Sequence, residues 1–205
     1  MPVTAQDVAT AVRRSLATLE DVPRDGWDRP AGTLTWTCWE TANHIADTLF
    51  YYAAQLGRTP PPEPGPAPFE WEPKRDGGPG GAVFADRAAG GPGMLAVLDA
   101  CGALLTSVVR TTPDTARAYH VFGLGDPEAF AAMGILEVLV HTHDIATTFD
   151  LPWRPADALC EQVLTRLFPD VAIAEEWPTL LWATGRATLP DRPQRTEWRW
   201  HADVR

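Results

Sequence analysis

Cysteine is scarce in this 205-residue chain. Cys38, Cys101 and Cys160 are widely spaced and form no CxxC pair. Neither a disulfide framework nor a thiolate metal site is therefore expected. Positive charge is also short: 17 Lys and Arg stand against 27 Asp and Glu, for a formal net charge of −10. Such a surface repels phosphate backbones and argues against nucleic acid as a partner. No run of about 18 apolar residues occurs, so no membrane span is expected. Met1-Pro2-Val3-Thr4 carries no basic region leading into an apolar core. No secretory signal is expected, and the predicted compartment is the cytoplasm. Internal repeats and long charge runs are missing too. The chain is 45% hydrophobic and 21% charged. That composition excludes a mainly disordered protein and suits one globular domain.

What is abundant is Pro, Gly and Trp, at 20, 16 and nine residues. Residues 57–93 alone hold nine Gly and nine Pro, half of the total. Pro lacks a donor and Gly is too permissive for long helix or central strand, so this stretch predicts a long connection. Within it, Phe69-Glu70-Trp71-Glu72 alternates like one short strand.

The rest carries helical signals. Thr4-Ala5-Gln6-Asp7 forms a capping box, followed by an apolar stripe of Val8, Val12, Leu16 and Leu19. Thr37-Cys38-Trp39-Glu40 forms a second, followed by Ile45, Leu49, Tyr52 and Leu56, with Gly57 as the stop. Met94, Leu98, Cys101, Leu105 and Val108 make a third stripe. Asp126-Pro127 starts a fourth helix that should reach about Phe149. Shorter helices are expected at 155–168 and 176–184. Thr196 to His201 alternates like a strand or extended arm. The predicted fold class is all-α: a four-helix bundle over residues 1–190, with short extra helices and a C-terminal extended tail at 191–205. A connection as long as 57–93 suits a crossover rather than a hairpin.

The fourth helix carries the chemistry. At 100° per residue, Phe130, Met133, Glu137, His141, Asp144 and Thr148 lie within about 40° of one direction. Phe130 and Met133 mark that direction as inward. Ionisable groups in an apolar stripe need partners, because an unpaired buried carboxylate is costly. A divalent metal is one partner. Glu137 and His141 stand one turn apart, the i, i+4 spacing with which HExxH motifs grip zinc. His44, mid-helix at the flank of the second apolar stripe, is the candidate third ligand. His120 falls in the loop before the fourth helix, His201 in the tail, and His143 points about 160° away from His141. Two His and one Glu leave a coordination position open, the catalytic pattern for Zn²⁺. Asp144 could hold an imidazole N–H or act as a base. The bland alternatives are a metal-free buried ion pair for Glu137 and His141, and a buried Arg as the partner of Asp144. Trp27, Trp36, Trp39, Trp71, Trp153, Trp177 and Trp182 could line an aromatic pocket or simply pack, and Tyr51 or Tyr52 could face the metal cavity. Arg186 and Arg199 are candidates for a substrate carboxylate.

Three segments together resemble a known family. They are Leu34-Thr35-Trp36-Thr37-Cys38 leading into Asn43-His44-Ile45-Ala46-Asp47, then Glu137 to Ala146 with its ExxxHxxD pattern, then Leu180-Leu181-Trp182-Ala183-Thr184-Gly185-Arg186. They resemble the DinB-like superfamily, and within it the N-terminal domain of mycothiol-dependent maleylpyruvate isomerases. The resemblance implies an up-up-down-down bundle and a divalent metal, Zn²⁺ or alternatively Ni²⁺, Mn²⁺ or Fe²⁺, on His44, Glu137 and His141. It implies a thiol cofactor such as mycothiol and a small-molecule substrate, in an isomerase or S-transferase. Related bundles often pair, so a homodimer is an expected assembly. The high Ala, Pro and Gly content suits an actinobacterial source, where mycothiol is available. Two departures stand out. The isomerase carries a further α/β domain, whereas about 55 residues follow the fourth helix here. Thr142-His143 also replaces the Gly-Trp that relatives place after the metal His. A non-catalytic bundle that binds a small ligand or dimerises is the alternative function.

Overall fold

In the computed structural model, residues 1–58 and 65–204 are described; 59–64, inside the predicted connection, lie outside this set. Four long helices form the bundle: α1 (Ala5–Leu19), α2 (Cys38–Leu56), α3 (Gly90–Thr111) and α4 (Pro127–Thr148). Both predicted capping boxes are formed: the Thr4 side chain receives the Asp7 N–H, and the Thr37 side chain receives that of Glu40. Asp126 Oδ1 accepts the Ala129 N–H at 2.8 Å, and Pro127 occupies the first turn of α4. Two shorter helices follow, α5 (Asp157–Leu167) and α6 (Glu176–Ala183).

The helices pack in the ring order α1–α3–α2–α4. Sequence neighbours α1 and α2 therefore face each other across a diagonal, as do α3 and α4. The diagonals are therefore spanned by the α1–α2 and α3–α4 links, residues 20–37 and 112–126. The 57–93 segment joins the ring neighbours α2 and α3, which run parallel, with Gly57 at the end of α2 facing Val108 near the end of α3; parallel neighbours need a crossover and not a hairpin. That segment is shorter than expected. A 3₁₀ turn at Arg87–Ala89, capped by Asp86, runs straight into α3. Pro92 is tolerated because it stands in the first turn, where its missing N–H has no carbonyl to serve. The short strand in the connection sits slightly later than predicted, at β1 (Glu72–Pro73), paired with β2 (Gly80–Gly81).

Helix α4 is buried on nearly every side. Phe130 packs on Tyr52 and Glu137 lies by His44, both on α2, and Gly134 meets α3, while α1 and α5 also pack against α4. A helix apolar all round is a core helix. Both α4 and the α3 segment are long and apolar enough to cross a membrane by length and composition. Burial within the bundle accounts for α4, and α3 buries the Met94, Leu98, Cys101 and Leu105 stripe against α1 and α2. Helix α4 approaches its neighbours closely at Gly134, where a Cβ would meet Leu105 Cδ2 at 2.5 Å and Leu49 Cδ2 at 3.2 Å. This glycine sets α4 tightly against its neighbours one turn before Glu137.

One element was not foreseen. The stretch before α4 is a hairpin, β3 (Ala118–His120) and β4 (Gly123–Gly125). It fixes His120, which the sequence places in an unfixed loop, as a buried strand residue. The C-terminal segment is extended and docked. Ala202 N–H bonds Phe122 O and Val204 N–H bonds Leu124 O, both at 3.3 Å, and Trp200 and Ala202 are buried.

Candidate metal centre

His44 on α2 and Glu137 and His141 on α4 converge, with one ligand atom from each lying within 4.8 Å of the others. Glu137 Oε2 is 3.1 Å from His141 Nε2 and 3.6 Å from His44 Nε2. A tetrahedral shell with metal–ligand bonds of about 2.05 Å has edges of about 3.3 Å. The donor set is two imidazole nitrogens and one carboxylate, the set that suits Zn²⁺ and its neighbours. The three residues thus fit a divalent ion in both spacing and chemistry. The imidazole rings of His44 and His141 are perpendicular, 5.1 Å apart, and Trp36 packs against His44 at 5.0 Å.

The electrostatics follow from burial and pairing. Burial pushes the Glu137 carboxyl up, but hydrogen bonds and charge from His141 and His44 outweigh it and hold the group below its ordinary value. Burial lowers His141, yet Asp144 and Glu137 reverse the effect and leave it raised. Asp144 is itself held low, because His141 and Arg186 more than offset its desolvation.

Asp144 Oδ2 lies 2.9 Å from His141 Nδ1 and takes Arg186 Nη2 at 2.7 Å; its Oδ1 takes Arg186 Nε at 2.9 Å. The carboxylate therefore links the imidazole to a bidentate guanidinium. Arg186 reaches back because Gly185 turns the chain with φ +72°, where a Cβ would also lie 2.8 Å from the Arg195 carbonyl. A contact between Asp144 and a buried Arg was the bland expectation for this acid, and the structure contains it alongside the histidine contact.

Two cavities flank the trio, and both are lined by His44, Glu137 and Trp200. One, of about 390 Å³, also meets His141, Asp144, Arg186 and Trp36. The other, of about 350 Å³, meets Tyr51, Tyr52, Trp71, His120 and Phe122.

This geometry belongs with a family match. The sequence pattern of the mycothiol maleylpyruvate isomerase N-terminal domain matches residues 8–146. The chain belongs to that family. Neither a curated protein nor a solved structure gives a match. The match begins within α1 and closes just after Asp144, so the matched segment contains His44, Glu137 and His141, and Arg186 lies outside it.

The remaining sequence candidates disperse. Among the seven tryptophans singled out, Trp36 and Trp71 reach the cavities. Trp27 packs on Trp39, and Trp153 donates to Leu139 O. Both Tyr51 and Tyr52 line the aromatic cavity. His143 packs edge-on against Trp177, and His201 lies 3.7 Å from Asp170. Arg199 is exposed. The tail residues Trp198 and Trp200 were missed as site residues. Their signal was the alternation in Glu197-Trp198-Arg199-Trp200, which puts both rings on one face of an extended arm, 6.0 Å apart.

Proposed function

We propose that the protein is a divalent-metal-dependent enzyme that uses a low-molecular-weight thiol, such as mycothiol, on a small electrophilic substrate, as an isomerase or S-transferase. The convergence of His44, Glu137 and His141 on a cavity carries this reading. A divalent metal held there would lower the pKa of a bound thiol or water and so supply a nucleophile near neutral pH.

The chain's own residues prepare the site. Glu137 is kept ionised by the two imidazoles. Asp144 accepts the Nδ1 proton of His141, which fixes the tautomer that turns Nε2 toward Glu137. Both Asp144 oxygens are engaged. Of its two expected roles, orienting the imidazole fits this environment better than acting as a free base. Arg186 neutralises Asp144 and so keeps the carboxylate buried without an uncompensated charge. Trp36 and Leu34 line one cavity on its apolar side.

The test follows both thiol consumption and substrate isomerisation with mycothiol and a panel of electrophiles on metal-loaded protein. Turnover that needs both thiol and metal, and that disappears in Glu137→Ala, supports the reading. Metal-loaded protein that accelerates no thiol addition or isomerisation across the panel contradicts it.

A further inference from the structure

The aromatic cavity beside the trio has a distinctive charge pattern. Its described lining contains two carboxylates, Asp47 and Glu137, and no Arg or Lys. Asp47 is anchored by the Ala82 and Val83 N–H groups, both at 2.7 Å from Oδ1. An anionic ligand would meet repulsion there and no counter-charge. Flat rings from Tyr51, Trp71 and Phe122 instead offer faces for a planar apolar body.

His120 provides the polar feature. The Phe122 N–H donates to His120 Nδ1 at 3.1 Å, so the proton of the neutral ring sits on Nε2. The ring is clamped among Tyr52, Phe122 and Trp200, with centroids 5.4 to 5.7 Å away. Nε2 makes no hydrogen bond among the described residues, and His120 lines the cavity. Beside it, Trp200 Nε1–H is buried with no partner, and Trp200 as a whole is 8% exposed. Burial holds His120 down to about 4, so it is a neutral donor across the physiological range.

We propose that this cavity binds an uncharged, planar conjugated carbonyl compound, a quinone or aryl enone, whose oxygen accepts a hydrogen bond from His120 Nε2–H. The ligand lies beside Glu137 and His44, where an activated thiol would meet its electrophilic carbon. Only that last statement rests on the thiol-enzyme reading; the binding stands without it.

The experiment compares 2-acetylnaphthalene with 2-naphthoate, which share a ring system and differ in charge at the oxygen. Each is titrated into the full chain by calorimetry, and the metal content of the same preparation is measured. The ketone should bind at least tenfold tighter than the carboxylate. His120→Phe should weaken ketone binding about tenfold, the cost of one lost hydrogen bond at a buried site. His120→Gln, which keeps an N–H donor, should retain most of the affinity. Naphthoate binding as tightly as the ketone, or a folded His120→Phe that binds the ketone within twofold of wild type, overturns the proposal. The wild-type comparison decides the matter even if neither variant folds. Ketone binding by protein that holds no metal supports this proposal while counting against the thiol-enzyme reading. Metal-replete protein that ignores the ketone does the reverse.

Discussion

The two walls of the candidate centre solve the problem of buried polarity in opposite ways. On one side every charge is matched: His141, Asp144 and Arg186 form a continuous chain of contacts at 2.7 to 2.9 Å. On the other, the neutral His120 sits among aromatic rings and lines the cavity, with no partner for its Nε2 among the described residues. The first wall is complete in itself and holds ligand atoms still. The second is complete only with something bound. Completeness therefore separates the residues that position from the residues that recognise.

The comparison breaks most visibly at Arg186. Arg186→Ala leaves Asp144 buried without its guanidinium, with His141 as the one remaining partner among the described residues, and should cost about 3–5 kcal/mol in urea unfolding. A loss below about 1 kcal/mol would mean that Asp144 is rescued by solvent and the wall is not closed. The aromatic wall should respond to pH instead. Unfolded chain takes up a proton on His120 near the ordinary value of 6.5, whereas the folded state waits until about 4. Stability from this group is thus present above pH 6.5 and lost as pH falls through that window, by about 3 kcal/mol at most. The stability difference between wild type and His120→Phe, followed by denaturation from pH 7 to 4, should shrink accordingly. A flat difference would place His120 in water.

Smaller effects sharpen the contrast. Asp144→Asn keeps the shape but weakens the hold on His141, and zinc affinity measured by chelator competition should fall about 10–100-fold. Unchanged affinity would make Asp144 purely a partner of Arg186. Least of all, Trp200→Phe keeps an aromatic ring and removes a donor that has no acceptor. Its unfolding free energy should stay within about 1 kcal/mol of wild type. A large loss would show that the indole N–H is satisfied in the folded protein.

The bundle was legible because its signals are local. Capping boxes at Thr4 and Thr37, and Asp126-Pro127, fix where helices start whatever they later touch. The inward trio was legible because charge in an apolar stripe demands a reason. What escaped depends on tertiary context. The periodicity of α4 could not show that α1 and α5 also pack against it. The β3–β4 hairpin is only three residues per strand, too short for alternation to register, so His120 seemed unfixed. Gly90, Gly91 and Gly93 looked like loop, yet packing of Met94 and Leu98 draws them into α3. Arg186 was visible as a cation, but its bond to Asp144 depends on the turn at Gly185 bringing two segments together across 42 positions.

The central claim is that His44, Glu137 and His141 form a metal site and not a metal-free ion-pair cluster. The most direct measurement is elemental analysis of protein purified without a metal-affinity column, beside the His44→Ala/Glu137→Ala double variant, with circular dichroism on both. The account predicts about one divalent metal per chain, lost in a variant that keeps its helical signal. Wild-type protein that carries no metal and takes up neither Zn²⁺ nor Ni²⁺ would contradict it.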